Sequence, residues 1–246
     1  MRDFGEYVDT KNNQKRFIDS TIVGMHKEQY YTQKTIQYKS QEMLSSVAQS
    51  RHRHADIDFQ PGKAALLVLD MQEYFLRESS HAFVPSAPTI VPGIQRLASA
   101  FSNANYPVVF TRHLNTLKDS GMMLKWWRDQ INLHSAYSHN IVFENIQNSI
   151  QINKTQYDAF HHTNLENILS KLNVTQVIIC GVMTHLCCET TARSAFMRGF
   201  EVFFTVDGTA TYNEQLHRAS LLTLSHGFAV PVLVEELLQA LETHED

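Results

Sequence analysis

The chain has 246 residues, of which 43% are hydrophobic, and its formal net charge is −4. A chain of this length can bury the core of one α/β domain and still carry additional segments. The acidic balance argues against a nucleic-acid-binding protein, because phosphate backbones attract concentrated Lys and Arg. No stretch has the length and apolar character of a membrane span, so we expect neither nucleic acid nor a membrane as a partner.

The cysteines indicate a reducing compartment. The chain has three of them, and all lie between Cys180 and Cys188, a cluster that cannot supply the framework of a disulfide-rich secreted domain. The first residues also lack the uninterrupted apolar core of a secretory signal. We therefore expect a cytoplasmic protein.

Residues 1–60 are expected to form a polar N-terminal extension, helical in part or partly disordered, ahead of a domain that spans 61–246. They are rich in Gln, Asn, Lys, Ser and Tyr and show no strand-like run. A helix over 35–51 would present an apolar stripe to the domain or to a partner subunit, formed by Ile36, Met43, Leu44 and Val47. For the first twenty residues, disorder is an alternative. The run 51–54, with its Arg and His side chains, indicates a solvated linker rather than a metal or anion site.

From residue 64 onward, apolar runs typical of buried strands alternate with segments of helical spacing. The strand-like runs begin at Ala64, Val108, Val177, Glu201 and Ala229. One of the intervening helices has a start signal in residues 163–166, where a Thr and a Glu could form a capping box. Repeated alternation favours an α/β fold with a mainly parallel sheet and helices on both faces. The chain has no glycine-rich phosphate loop, so no nucleotide cofactor is expected.

Cys187 is the first candidate for chemistry. An apolar run that ends at Cys180 breaks at Gly181, and a helix is predicted to begin beneath Cys187. Unpaired N–H groups and partial positive charge at a helix start stabilise a thiolate, which is the nucleophilic form of cysteine. The alternative is a buried, inert thiol that only packs, as we expect for Cys180 and Cys188.

Two ionisable residues occupy comparable positions. Asp70 ends the first predicted strand of the domain, which places it at the same sheet edge as Cys187. Lys154 follows a short apolar stretch. Each has an ordinary alternative, since Asp often caps a helix after a strand and most lysines are surface residues.

Four segments together resemble the isochorismatase-like hydrolase superfamily, in its cysteine hydrolase branch, over roughly residues 64–238. They are Asp70-Met-Gln-Glu-Tyr-Phe75, Lys154 with Tyr157-Asp-Ala-Phe160, Gly181-Val-Met-Thr-His-Leu-Cys187, and Ser194-Ala-Phe-Met-Arg-Gly199-Phe. Their order and spacing agree with the family. The resemblance implies a Rossmann-like, three-layer α/β/α sandwich and a catalytic triad of Asp, Lys and Cys.

The family roles carry over residue by residue. Asp70 would be the general base, Lys154 would keep the aspartate charged and lower the pKa of the thiol, and Cys187 would attack the substrate. The resemblance also implies a cis peptide bond between Val182 and Met183, which aims the N–H groups of Met183 and Cys187 into an oxyanion hole.

Further residues are expected to contact a small-molecule substrate: Phe75, His113, Trp127, Tyr157, Phe160 and His185. For His and Tyr on loops the alternative is a local hydrogen bond, and His185 could orient the turn beside it. Trp126 and Trp127 could line the pocket or form a subunit contact, and we expect a homo-oligomer, a dimer or a tetramer.

Two departures from related enzymes guide the choice of reaction. Isochorismatases of the siderophore type typically lack a cysteine at the position of Cys187, and the thiol here favours hydrolysis of an amide, ureido or related C–N bond through a thioester. Nicotinamidases usually carry an Asp two residues before the His of the second strand, where this chain has Thr111 before His113. We therefore expect no metal and no cofactor. Isochorismate hydrolysis by Asp70 and Lys154 without the thiol is one alternative, and a catalytically silent binding protein on this scaffold is another.

Overall fold

A computed structural model describes residues 4–7, 16–19 and 26–243, apart from 128, 136, 140–142 and 144–145. Two short strands, β1 (Phe4–Tyr7) and β2 (Arg16–Asp19), pair antiparallel. No strand-like run in the sequence marked these two segments, because four residues are the minimum length over which an alternating pattern can be recognised; within the described residues they pair with each other. Most of the first twenty residues, for which disorder was an alternative, lie outside the described ranges.

The core of the domain is a six-stranded parallel sheet. Its strands are β3 (Ala64–Leu69), β4 (Val108–His113), β5 (Ile150–Lys154), β6 (Gln176–Val182), β7 (Glu201–Ala210) and β8 (Val230–Val232). Their order in space is β5-β4-β3-β6-β7-β8, and every neighbouring pair is parallel. β3 and β6 are completely buried, as expected for central strands covered on both faces.

Helices surround this sheet. They are α1 (Ile36–Ser46), α2 (Ala48–His52), α3 (Glu73–Leu76), α4 (Ala87–Asn103), α5 (Met123–Trp126), α6 (Leu165–Lys171), α7 (Glu189–Met197), α8 (Glu214–Gly227) and α9 (Val234–Glu242). α4 and α9 pack together, as do α7 and α8, and both pairs contact the sheet. This confirms the predicted α/β class with a parallel sheet. None of the helices in the described part of the chain has the length and apolar character to cross a bilayer.

The segment before the domain packs onto it rather than trailing away. The expected apolar stripe is present, since Met43, Leu44 and Val47 are buried. The predicted helix is divided at Val47 into α1 and α2. Upstream of it, Tyr30 and Tyr31 are also buried, although no helical or strand pattern marked them.

The predicted capping box at the start of α6 is absent. Thr163 donates its hydroxyl proton to the carbonyl of Ala159 at 2.6 Å, and its oxygen accepts from the N–H of Leu165 at 3.2 Å. Glu166 pairs instead with Arg198 at 3.0 Å. The carboxylate of Glu166, which the local pattern assigned to the start of α6, therefore forms an ion pair with a residue that follows α7.

Gly181 allows β6 to continue close beside β3. A Cβ atom at this position would lie 2.1 Å from the carbonyl oxygen of Leu69, and the backbone has a φ of +114°. Only glycine satisfies both the space and this dihedral angle. The close approach brings the ends of the two central strands together, and these ends carry the candidate site.

Replacement of Asn213 by alanine is expected to lower the free energy of unfolding by about 1 kcal/mol. Asn213 is the N-cap of α8: its side-chain oxygen accepts from the N–H of Leu216 at 2.9 Å, and its side-chain nitrogen donates to the carbonyl of His26 at 3.0 Å. Urea unfolding measures the change. Asn213→Asp is the matched control, because it keeps the cap and loses only the bond to His26; an Asp variant as unstable as the Ala variant would contradict the capping role.

Candidate active site

The candidate site lies between β3 and β6, where the order in which the chain adds strands to the sheet reverses. From β3 the chain proceeds outward to β4 and β5, and it then returns to form β6 on the other side of β3. The connections that follow two such neighbouring strands lead away from each other and leave a crevice outside the carboxyl ends of the strands. Open α/β sheets bind their ligands in this crevice. Asp70 follows β3, Lys154 ends β5, and Cys187 lies in the turn after β6. The topology thus brings the three candidates to one edge.

Asp70 is held rigidly. Its carboxylate accepts a hydrogen bond from the hydroxyl of Thr111 at 2.6 Å and lies 2.7 Å from the ammonium of Lys154, and the residue is fully buried. The backbone has a φ of +50°, a left-handed conformation that Asp tolerates better than most residues. Asp70 does not cap the next helix, because the N-cap of α3 is Gln72.

Lys154 links the other groups. Its ammonium donates to the sulfur of Cys187 at 3.3 Å and to the carbonyl of Gln156 at 2.9 Å, and it lies 3.4 Å from Nδ1 of His113. The side chain is buried completely. Lys154 is therefore no surface lysine, and the acid, the amine and the thiol form one contiguous cluster.

Cys187 lies on a single π-helical turn, Thr184–Cys188, that leads directly into α7. It is 6% exposed and borders a cavity, whereas Cys188 and Cys180 are fully buried. Cys180 lies inside β6 with its sulfur 3.5 Å from the carbonyl of Leu67. Only Cys187 among the cysteines can meet a ligand.

Burial and charge set the protonation of the cluster. Burial is the largest single effect on Asp70 and disfavours its charged form, but the charge of Lys154 and the hydrogen bonds to the carboxylate together outweigh it and lower the pKa of the carboxyl group. Burial likewise works against the ammonium, yet Asp70 and Cys187 raise the pKa of Lys154 overall. For Cys187, burial and then the charge of Asp70 raise the pKa of the thiol to about 12, although Lys154 lowers it. Lys154 thus acts in the expected direction, but burial has the larger effect and the resting thiol is protonated.

Buried polar residues that the sequence did not single out support this cluster. The side chain of Gln72 bonds both the N–H and the carbonyl of His113, at 2.9 and 3.1 Å. Asn115 accepts from Nε2 of His113 at 2.7 Å.

Burial, followed by the charge of Lys154, lowers the pKa of His113 to about 4, so the ring is neutral near pH 7. Thr111 and His113 share one face of β4 through the two-residue period, and this signal could have revealed Thr111.

A cavity of about 400 Å³ opens next to Cys187. Met183 and Cys187 form part of its wall, and four of the predicted substrate contacts line it as well: Phe75, His113, Trp127 and Tyr157. The indole N–H of Trp127 donates to the hydroxyl of Tyr157 at 2.7 Å, which fixes the two rings relative to each other. The cavity is therefore mainly aromatic near the thiol.

The structure places Phe160 and His185 away from the lining of this cavity. Phe160 stacks on Phe200 with ring centroids 5.9 Å apart and lies under the guanidinium of Arg198. His185 bonds the hydroxyl of Thr211 through Nδ1 at 2.6 Å. Both side chains are engaged in packing or in hydrogen bonds behind the site, where sequence position alone could not separate them from pocket residues.

The backbone beside the thiol has the conformation that the resemblance implies: the peptide bond between Val182 and Met183 is cis. Val182 is buried in β6, and Met183 faces the cavity. The carbonyl of Met183 accepts from the N–H groups of Leu186 and Cys188 at 3.0 and 3.3 Å. The turn that carries Cys187 is thereby closed onto the end of β6.

The residues do not suit a divalent metal ion. Asp70, His113 and Cys187 each offer a ligand atom within 4.8 Å of the others. The ammonium of Lys154, however, already lies 2.7, 3.4 and 3.3 Å from atoms of these same residues. A second cation among them would be repelled strongly in a buried site. The acidic residue that nicotinamidases usually carry two residues before the histidine of this strand is also missing. Its position is occupied by Thr111, whose hydroxyl bonds Asp70.

Comparison with known proteins identifies the family. Residues 64–236 match the isochorismatase domain. The chain belongs to the isochorismatase family. It is 41% identical to nicotinamidase 3 of Arabidopsis thaliana over 184 residues, which cover 72% of this chain and 88% of the relative. Enterobactin synthase component B of Escherichia coli is 30% identical over 190 residues, or 75% of this chain and 66% of that protein.

A solved structure of a cysteine hydrolase has a similar fold. The cysteine hydrolase from Pseudomonas syringae pv. phaseolicola superposes with a TM-score of 0.71 at 26% identity, covering 75% of this chain and 95% of that one. The family match, the relatives and this structure together identify the protein as an isochorismatase-like cysteine hydrolase, as the sequence motifs indicated.

Proposed function

We propose that this hydrolase cleaves the C–N bond of a small carboxamide through a thioester on Cys187. The observation that carries the proposal is the position of the Cys187 sulfur, which borders the cavity on one side and accepts a hydrogen bond from Lys154 on the other. A nucleophile at the wall of one small, largely aromatic cavity is thus backed by a fixed positive charge and a base, since Lys154 bonds the sulfur and lies 2.7 Å from the carboxylate of Asp70.

In the first half of the reaction, Asp70 removes the proton of the Cys187 thiol, and the sulfur attacks the carbonyl carbon of the amide. The lowered pKa of Asp70 and the raised pKa of Cys187 keep the proton on sulfur until a substrate is bound. Lys154 then compensates the negative charge that moves from the carboxylate to the sulfur. The oxyanion forms next to the N–H groups of Met183 and Cys187, which we assign as its donors.

In the second half, the C–N bond breaks, and protonated Asp70 returns its proton to the leaving nitrogen. Ammonia departs from a primary amide, and the acyl group remains on sulfur as a thioester. Asp70 next takes a proton from a water molecule, whose oxygen attacks the thioester carbonyl. The C–S bond breaks, sulfur regains the proton, and the carboxylic acid leaves.

Charge around the cavity favours a neutral substrate over isochorismate. Isochorismate carries two carboxylates, whereas the described lining contributes one lysine, Lys27, and one acidic residue, Asp129. His113 adds no charge near pH 7, because its pKa is lowered to about 4. Two anionic groups would therefore enter without enough positive charge to offset their desolvation.

Nicotinamide is the first substrate to test. The likeness to nicotinamidase 3 suggests it, and the rings of Phe75, Trp127 and Tyr157 suit a flat aromatic amide. The position of Lys154 argues against recognition of the pyridine nitrogen by a metal ion. The ring would instead be held by aromatic contacts and by polar groups of the cavity.

We further propose that the enzyme is a cytoplasmic homo-oligomer. Large apolar side chains of residues 117–126 are exposed: Leu117, Met122, Leu124 and Trp126. Exposed aromatic and methionine side chains are enriched at subunit interfaces. The cysteines are all unpaired, which supports a reducing compartment.

Purified full-length enzyme is expected to release ammonia from nicotinamide and to leave isochorismate unchanged. The measurement is coupled ammonia detection, with chromatographic assay of isochorismate in parallel. Ureido acids of similar size form the comparison set for the C–N bond. Turnover of isochorismate in preference to every amide and ureido compound would refute the proposal.

A further inference from the structure

Residues 26–31 lie outside the matched family domain, yet they are bonded to its active-site edge. The N–H of Glu28 donates to the carbonyl of Tyr212 at 2.8 Å, and the carboxylate of Glu28 accepts from the N–H of Glu214 at 2.9 Å. Lys27 reaches the cavity wall itself. Tyr30 is thereby held in one place, with its hydroxyl behind the turn that carries Cys187.

The hydroxyl of Tyr30 connects to the start of this turn through His217. It lies 3.0 Å from Nδ1 of His217, and the same nitrogen lies 3.1 Å from the hydroxyl of Thr184. Thr184 is the first residue of the turn Thr184–Cys188. All three side chains are buried, so water does not compete for these hydrogen bonds.

A second connection reaches the next residue of the turn. The hydroxyl of Tyr30 accepts from the N–H of Thr211 at 3.0 Å, and the hydroxyl of Thr211 bonds His185 at 2.6 Å. Thr184 and His185 are therefore both tied, through one intermediate residue each, to a single phenol oxygen. The ring of Tyr31 packs against Tyr30 and His217, with centroids 4.6 and 5.6 Å apart, but its hydroxyl takes no part in these hydrogen bonds, since it bonds the carbonyl of Val206 at 3.2 Å.

We propose that Tyr30 is a positioning residue for the nucleophile, acting through His217 and Thr211 on the turn that carries Cys187. The inference rests on the proposed function only in that Cys187 is taken as the nucleophile. Without the Tyr30 hydroxyl, Thr184 still bonds His217 and His185 still bonds Thr211. His217 and Thr211, however, have each lost their hydrogen bond to Tyr30. The sulfur then samples orientations out of line with Asp70 and Lys154, and small misplacements of reacting groups are costly in rate.

The test is Tyr30→Phe in the full chain, with Tyr31→Phe as the matched control. We expect Tyr30→Phe to slow alkylation of Cys187 by iodoacetamide near neutral pH about tenfold, and to lower kcat by a similar factor, while KM changes less than about twofold. Tyr31→Phe is expected to shift the thermal midpoint but to leave both rates at the wild-type value. Mass spectrometry identifies the alkylated cysteine.

The alkylation readout needs no substrate, so it separates this inference from the proposed function. Slower alkylation of Tyr30→Phe in an enzyme that hydrolyses no amide would support the positioning role and remove the proposed substrate class. Equal alkylation rates in Tyr30→Phe and wild type, or equal losses in both tyrosine variants, would overturn the inference. If Tyr30→Phe does not fold, Thr184→Val decides the matter, since it breaks the same connection at the turn and should slow alkylation likewise.

Discussion

Cys187→Ala is expected to retain the fold and to lose at least about a thousandfold in kcat on any amide substrate. We propose that the sulfur of Cys187 carries the acyl intermediate, and neither of the other two cysteines can replace it, because Cys180 and Cys188 are fully buried. Steady-state ammonia release gives the rate. Rapid acid quenching followed by mass spectrometry should show an acyl adduct on wild type and none on the variant.

The neighbouring thiol provides the control. Cys188→Ala removes a sulfur one residue away that does not line the cavity, so the variant should lose some stability and keep its turnover. If Cys187→Ala instead hydrolysed its substrate at the wild-type rate, the thioester mechanism would be wrong. Hydrolysis of isochorismate by that variant would then favour an acid-catalysed reaction of Asp70 and Lys154.

Lys154→Met is expected to damage stability and catalysis together. The ammonium lies 2.7 Å from the carboxylate of Asp70, and both side chains are completely buried. Removing one partner of such a pair leaves an uncompensated buried charge, which costs about 3–5 kcal/mol. Turnover should fall at least about a hundredfold, because neither the carboxylate nor the thiolate retains its counter-charge. Urea unfolding at pH 7 measures the stability.

The double variant Asp70→Asn, Lys154→Met separates the two effects. It buries no net charge and should recover much of the lost stability while remaining inactive. The pKa of Asp70 is lowered in the folded state, so its contribution is complete above the ordinary carboxyl range and is lost only as the pH falls through that lowered value. The pKa of Lys154 is raised, so its contribution is lost only as the pH rises through that raised value. At pH 7 both groups are charged, and a single variant as stable as the double one would contradict the buried ion pair.

Local patterns accounted for most of the fold. The apolar runs at 64–69 and 176–182 became the central strands, and the helical stripe with Met43, Leu44 and Val47 packed as expected. Patterns failed where a contact between distant elements competed with a local one, as at Thr163, or where strands were only four residues long. Long periodic segments are predictable because many residues repeat the same preference.

The residues of the candidate site were likewise predictable only in part from the sequence. Asp70, Lys154 and Cys187 were identified from motifs, and Phe75 and Trp127 from their place among them. Phe160 and His185 stood in equally suggestive positions but lie outside the cavity lining. Thr111 could have been found from the face of β4 that it shares with His113, but Gln72, Asn115 and Tyr30 had no comparable signal, because polar side chains of these types occur on any loop or strand.

The amino-acid sequence by itself determined the alternation of strands and helices from residue 64 onward except for β5, together with the family and the three groups proposed to do chemistry, since each is written in residue types at short spacing. Only the tertiary structure decided that an ammonium from β5 would lie between a carboxylate and a thiol from two other connections, and that burial would keep the thiol protonated. It also decided that Tyr30 would connect through His217 to the turn Thr184–Cys188. Hydrogen bonds and charge interactions depend on distances through space and on exclusion of water, and neither quantity exists until the chain is folded.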